Sequence, residues 1–225
     1  APDSLARRGQ LERPPMPNDE QQRILRAIFE RGAESASQAL SKWLGAEVRL
    51  TVSAVDRVEL AAAADVLGPP EALVAACAMG LGGPLGGRMI LVFQDRAGLA
   101  LVDLLLNQPV GTTTAWGDIE RSAAMETTNI VGCAYLNALA AHLPSTLRAD
   151  GAAQAELTPS PPVFFHEFAG SLLEFALMDQ ALELDEVLLV RSAFSADRAD
   201  LDLDWTLLVV PDRRSLQALT KSLSS

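Results

Sequence analysis

The chain has 225 residues, 49% of them apolar and 21% charged, and 18 basic residues stand against 29 acidic ones for a net charge of −11. That length fits one large domain or two small ones, with enough buried surface for a core without staples, and two cysteines, Cys77 and Cys133, exclude a disulfide scaffold. The charge repels phosphate backbones and anionic lipid alike, so no nucleic-acid partner and no attachment to an acidic membrane surface are expected.

Residues 1–20 contain no apolar run and read as a disordered tail or linker, not a signal peptide or transit helix. The longest uncharged stretch, 127–147, has the length of a bilayer span. It carries Thr127, Thr128, Asn129, Asn137, His142 and Pro144, which is too polar for membrane insertion. A reduced, cytoplasmic protein is the expectation.

From Asp19 onward Ile24, Leu25, Ile28, Ala36, Leu40 and Leu44 recur on one helical face, with Asn18 or Asp19 as cap and Gly45 as stop. Residues 47–54 alternate Val48, Leu50 and Val52 against Arg49, Thr51 and Ser53, as a half-buried strand does. Apolar runs at 73–81 and 88–94, joined by Gly82-Gly83-Pro84-Leu85-Gly86-Gly87, form a β-hairpin pattern. Asp95 is the expected cap of a helix over 96–106, and a Thr-, Gly- and Pro-rich linker spans 107–114. A second long helix runs from Asp118 to about Leu143, then a loop or edge region over 145–162. A helix over 170–178, strands near 186–193 and 201–210, and a terminal helix capped by Asp212 complete the chain.

The two halves match. Offset by 117, the segment Ile90-Leu91-Val92-Phe93-Gln94-Asp95-Arg96 lies over Leu207-Leu208-Val209-Val210-Pro211-Asp212-Arg213, and Leu99 over Leu216. Offset by 99, Ala39-Leu40 lies over Ala138-Leu139 and Leu44 over Leu143, and the 18-residue difference falls in the proline-rich insertion. The expected architecture is α+β: two repeats, about 21–107 and 117–225, related by a pseudo-two-fold within a single domain over 21–225. They share antiparallel sheets flanked by the two long helices.

Several local patterns invite chemistry and fail in detail. The run from Gly80 to Arg88 lacks the lysine and the Ser/Thr of a phosphate loop, having Arg88 and Met89 there, and a strand follows it rather than a helix. Asp200, Asp202 and Asp204 begin like a calcium loop, but Trp205 stands at position six and Pro211 at position twelve, so a strand with an acidic face is expected. His142 and His166 have no partner at ligand spacing, and no metal or cofactor-binding residues are assigned. Cys133 sits mid-helix among apolar residues, the setting of a buried, inert thiol.

The second long helix is more informative. At 100° per residue, Ser122, Glu126 and Asn129 fall within about 60° of one another. Ile119, Ala123, Ile130, Val131, Ala134 and Ala138 occupy the adjacent face, which should be core. A hydroxyl, a carboxylate and a carboxamide therefore share one stripe. Spacing alone leaves this as a polar helix face or a site.

The pattern Ser122-x3-Glu126-x2-Asn129, continued by Ile130-Val131-Gly132 and Tyr135-Leu136-Asn137-Ala138-Leu139, resembles the active-site helix of the CheC/CheX/FliY chemotaxis phosphatases. The resemblance covers roughly residues 20–222, including the repeat, the glycine-rich hairpin and the closing strand-to-helix segment. It implies hydrolysis of the aspartyl phosphate of a CheY-like receiver. Asn129 would orient the attacking water and Glu126 engage the receiver's lysine, while Ser122 supports the helix or interface. The phosphorylated receiver would supply Mg2+, so no cofactor of the chain's own is implied. CheC-type proteins also bind the receptor deamidase CheD, which the resemblance offers as a further partner.

Two departures stand out. The first repeat carries Arg23, Ala27 and Glu30 where the motif would recur, so a first site should be dead. The family's proline about 22 residues after the asparagine is missing, and the nearest is Pro159, beyond an insertion that includes Gly151. A rival expectation is a non-catalytic module, since the fold also resembles the middle domain of the flagellar motor switch protein, which binds CheY without hydrolysing its phosphate.

Overall fold

The computed structural model describes residues 19–142, 156–176, 186–196, 201–212 and 214–215. Residues 1–18 of the expected tail, the insertion around Gly151 and the body of the terminal helix lie outside the described residues, while Asp19 and Glu20, counted with the tail, already belong to the first helix. Of that last element Asp212 and Ser215 are seen, and the Ser215 amide donates to Asp212 Oδ1 at 2.7 Å, the bond of an N-cap.

The first long helix, α1 (Asp19–Leu44), buries Leu25, Ile28, Phe29, Ala33, Ala36 and Leu40 and leaves the charged residues from Glu20 to Lys42 exposed. Gly45 ends it at φ +62°, a left-handed conformation with little penalty for glycine, and its amide bonds back to the Ser41 carbonyl at 2.9 Å. Strand β1 (Val48–Glu59) runs five residues past its expected end. A register slip between Val52 and Ala54 throws the later residues out of phase with the earlier alternation, which hid the continuation. The alanine-rich α2 (Leu60–Val66) follows, an element the periodicity did not declare.

The expected hairpin is β2 (Leu73–Gly82) and β3 (Gly87–Gln94), followed by α3 (Asp95–Leu105) and the second long helix, α4 (Asp118–His142). Asp95 does not cap α3: Gln94 holds the cap position without a side-chain bond. The Asp95 carboxylate instead accepts from Trp116 Nε1 at 2.7 Å, with His166 Nε2 at 2.9 Å from the same oxygen. A short β4 (Thr158–Pro159) and an unanticipated β5 (Val163–Phe168) lead into α5 (Ala169–Ala176), and β6 (Glu186–Ala196) and β7 (Leu201–Pro211) close the sheet. Strand β5 has no clean alternation to read, because both of its faces are only partly covered.

All strand pairs are antiparallel, in the order β1-β6-β7-β3-β2-β4, with β5 also paired to β2. At the centre Ile90 faces Leu208 and Leu91 faces Leu207. These are the residues the repeat equates, so the pseudo-two-fold passes between them. The halves also exchange strands: β1 joins the β6–β7 hairpin of the second half, and β5 joins the β2–β3 hairpin of the first.

Alternation splits the core into layers. Met89, Leu91 and Phe93 face α1 and α4, while Ile90 and Val92 face α2 and α5. The long helices pack directly, with Phe29 and Tyr135 ring centroids 5.6 Å apart, and a Cβ on Gly32 would collide with Tyr135. Burial follows the repeat: Leu25, Ile28, Phe29 and Leu40 are buried, as are Ala124, Thr127, Thr128 and Leu139, their equivalents at the same offset of 99.

Two polar devices secure the frame. The fully buried Asp103 carboxylate of α3 accepts the linker amides of Gly111, Thr112 and Thr113 at 2.7, 3.1 and 2.9 Å, which replace the water it gave up. Along the free edge of β1, the amides of Val48 and Leu50 donate to Ser41 Oγ and Ser37 Oγ of α1 at 2.9 and 2.8 Å. Each hydroxyl in turn donates to a carbonyl one helical turn back, so the edge is tiled by side chains rather than left open. Among the described residues, no helix is long and apolar enough to cross a membrane.

Candidate functional site

The face of α4 turned to the sheet sets the direction of the other. Ala123, Ala124, Thr127, Thr128 and Val131 are buried, and the Thr127 and Thr128 hydroxyls are satisfied by the carbonyls of Ala123 and Ala124, each at 2.9 Å. Gly132 lets Met79 and Met89 press against the helix. Cys77, buried beneath it, has its thiol pushed up to about 12 by burial, against a smaller opposing effect of its hydrogen bond with Thr128. It is inert at neutral pH.

With that face fixed, Ser122 and Glu126 are exposed and Asn129 is half-buried on the outer stripe. Two expectations for this helix need correction. Ile119 is not core but 65% exposed: seven residues before Glu126, it lies within about 20° of that outward side chain. Cys133 is not fully buried: it is only partly covered, and its Sγ donates to Asn129 Oδ1 at 3.7 Å. Its thiol is raised above its ordinary value by burial first and by the nearby Glu126 charge second. The stripe is therefore longer than expected, running Ser122, Glu126, Asn129, Cys133 at spacings of four, three and four.

Ser122, Met125, Glu126 and Asn129 form one side of an open groove of about 530 Å³, and Pro159, Ser160, Pro161 and Pro162 form the other. The three prolines stiffen that wall. Ser160 pins it to the end of β2 twice: its amide donates to the Gly80 carbonyl at 2.9 Å, and its hydroxyl accepts from the Gly80 amide at 2.8 Å. Pro159, the nearest proline available to stand in for the missing one, thus reaches the site despite lying 30 residues after Asn129. Below the wall, Phe164 packs on Trp116 with ring centroids 5.0 Å apart, and the Arg121 guanidinium lies 5.8 Å from the Phe164 ring centroid. Met125 and the proline wall went unrecognised as lining, although Met125 is adjacent to Glu126 and the residue between two motif positions could have been suspected.

The equivalent stripe on α1 has a different content. Arg23, Ala27 and Glu30 are all exposed; Arg23 pairs with Glu20, and Glu30 pairs with Arg26 at 2.9 Å. Arg26, at the position equivalent to Met125, also donates to the Val52 carbonyl of β1 at 3.4 Å. A larger open groove of about 930 Å³ runs between α1 and β1 from Glu30 onward, but the Ser37 and Ser41 hydroxyls within it are already committed to the strand edge.

The remaining motifs fall into the frame. The Gly80–Arg88 run comprises the turn of the β2–β3 hairpin and the strand ends that flank it. His142 Nδ1 lies 2.9 Å from the Ala138 carbonyl, and His166 is engaged with Asp95. Asp200 and the side chains of Asp202 and Asp204 lie outside the described residues. Among the described residues, no group of three or more His, Cys, Asp or Glu side chains is placed to hold a metal ion.

No protein-family model and no curated protein matches the chain. Solved structures do. FliY of Thermotoga maritima is similar with a TM-score of 0.73 at 15% identity, over 92% of this chain and 98% of that one. The FliM middle domain of H. pylori follows at 0.62 and 13%, over 92% and 99%. The FliG–FliM complex of H. pylori gives 0.64 and 13%, over 91% and 100%. At such identities the likeness is one of fold. The chain has the α+β fold of FliY and the FliM middle domain, the fold that the sequence resemblance implied.

Proposed function

We propose that this chain is a phosphatase for the aspartyl phosphate of a CheY-like receiver, with one site on α4. The observation that carries the reading is the placement of Glu126 and Asn129 one turn apart on the outward stripe, lining a stiff-walled groove open to a partner. Hydrolysis of an acyl phosphate requires a water held in line with the bond from phosphorus to the receiver's carboxylate. As the new P–O bond forms, that bond breaks and the carboxylate leaves with the electron pair. A carboxamide suits the task, because it accepts from and donates to its partners without any change of protonation. Glu126 is the contact to the receiver's lysine and sets the docking distance, since a misplacement of about 1 Å costs roughly 10²-fold in rate. Mg2+ comes with the receiver as part of the substrate. CheD remains a proposed partner on the resemblance alone.

The test is phosphate release from a magnesium-loaded, phosphorylated CheY-type receiver, with wild type and Asn129→Ala side by side and receiver binding measured in parallel. Acceleration by wild type and none by Asn129→Ala, with binding retained, is the expected result; equal rates would sink the mechanism. Binding without acceleration would favour a second reading, an interaction module. The likeness to FliM, which has been crystallised in complex with FliG, gives that reading its support.

A further inference from the structure

We infer that Cys133 is a positioning residue for Asn129: its thiol holds the Asn129 carboxamide in the one flip that turns the amide N–H groups toward the groove. The inference rests on the phosphatase reading for its consequence, and on geometry for its cause. Cys133 lies one turn beyond Asn129 on the same stripe, and its Sγ donates to Asn129 Oδ1 at 3.7 Å. A carboxamide offers two nearly isosteric orientations. Beside a group that donates an S–H, the one with Oδ1 toward sulfur is favoured.

Oδ1 has two lone pairs, so the thiol takes one and leaves the other, with both Nδ2–H groups, for a water and a phosphoryl oxygen. The opposite flip would bring Nδ2 to the sulfur and present only acceptor lone pairs to the groove, where a phosphoryl oxygen would be repelled. The thiol must stay protonated to act as a donor. Burial and the neighbouring Glu126 charge both raise its pKa, so it does not lose its proton at neutral pH. Among the described residues, no other hydrogen bond reaches the Asn129 side chain, which gives this weak donor its leverage.

The test uses wild type, Cys133→Ala and Cys133→Ser with two readouts. One is kcat and KM for phosphate release from a phosphorylated CheY-type receiver. The other is the side-chain amide NMR signal of Asn129 in the free protein, assigned by its loss in Asn129→Ala. Cys133→Ala should lower kcat about 3- to 10-fold at unchanged KM, the size of one modest hydrogen bond, and should shift and mobilise the Asn129 amide signal. Cys133→Ser, which restores a donor, should recover most of both. An Asn129 signal and kcat unmoved by Cys133→Ala would overturn the inference, as would equal losses in the Ala and Ser variants, since packing alone would then explain them. If wild type releases no phosphate, the phosphatase reading fails by itself, and the amide signal still decides whether Cys133 holds the carboxamide.

Discussion

Helices α1 and α4 are built to one plan and differ in one stripe. Most of their buried positions coincide at an offset of 99, both lie on the same face of the sheet, and each is flanked by a strand that serves the other half. On α4 the outward stripe carries Ser122, Glu126 and Asn129 beside an open groove. On α1 the same positions carry Arg23, Ala27 and Glu30, and Arg26 bridges from Glu30 to the β1 backbone where Met125 leaves space on α4. The apolar face of such a helix decides whether the fold forms, while the outward stripe is free to vary. Chemistry can therefore be lost from one half while its architecture stays.

The contrast can be pressed experimentally. The largest effect should come from Asn129→Ala, a loss of ~10²-fold or more in phosphate release at nearly unchanged receiver affinity, read by single-turnover kinetics and titration. Glu126→Ala should weaken receiver binding by about 10-fold, the typical cost of one charge-assisted contact, and lower the rate as well. The helix seats should respond unequally to added bulk. Gly32→Ala would drive a Cβ against the ring of Tyr135, with the Tyr135 Cα only 3.0 Å away, at a cost of about 1–3 kcal/mol in urea denaturation. Gly132→Ala meets the thioether ends of Met79 and Met89, which can move aside, and should cost less. The smallest effect belongs to α1: the pair Ala27→Glu and Glu30→Asn should neither change phosphate release in the wild-type background nor restore it to Asn129→Ala. Any restoration would show that the stripe alone makes a site, without the proline wall that faces it on α4.

The sequence disclosed most where one periodicity ruled. Both long helices, the glycine-rich hairpin and the final strands were legible because their apolar residues keep one pattern from end to end, a helical period or a continuous buried run. Legibility failed where that pattern breaks within an element. The slip at Val52/Ala54 hid the second half of β1, and β5 is covered unevenly on both faces, so neither shows a clean period of two. Asp95 looked like a cap by its position before a helix, but an indole arriving from the linker and an imidazole from β5 compete for its carboxylate, and sequence proximity shows neither. At the candidate site, helical arithmetic placed Ser122, Glu126 and Asn129 on one stripe, where the structure also has them. The opposite wall was not legible, because residues 159–162 reach it through strand pairing with β2, a contact across about 80 positions.

The exchange of β1 and β5 between halves has a consequence for how the chain is made and how it would come apart. Each hairpin is completed by a strand from the other end of the sequence, so the sheet closes only after distant segments meet. Such a topology favours slow, late-committing folding over independent collapse of two modules. For the same reason a single cut in the linker near Gly111 would not release two free domains. It would leave two fragments clasped like the subunits of an obligate heterodimer, each exposing an unpaired hairpin edge on separation.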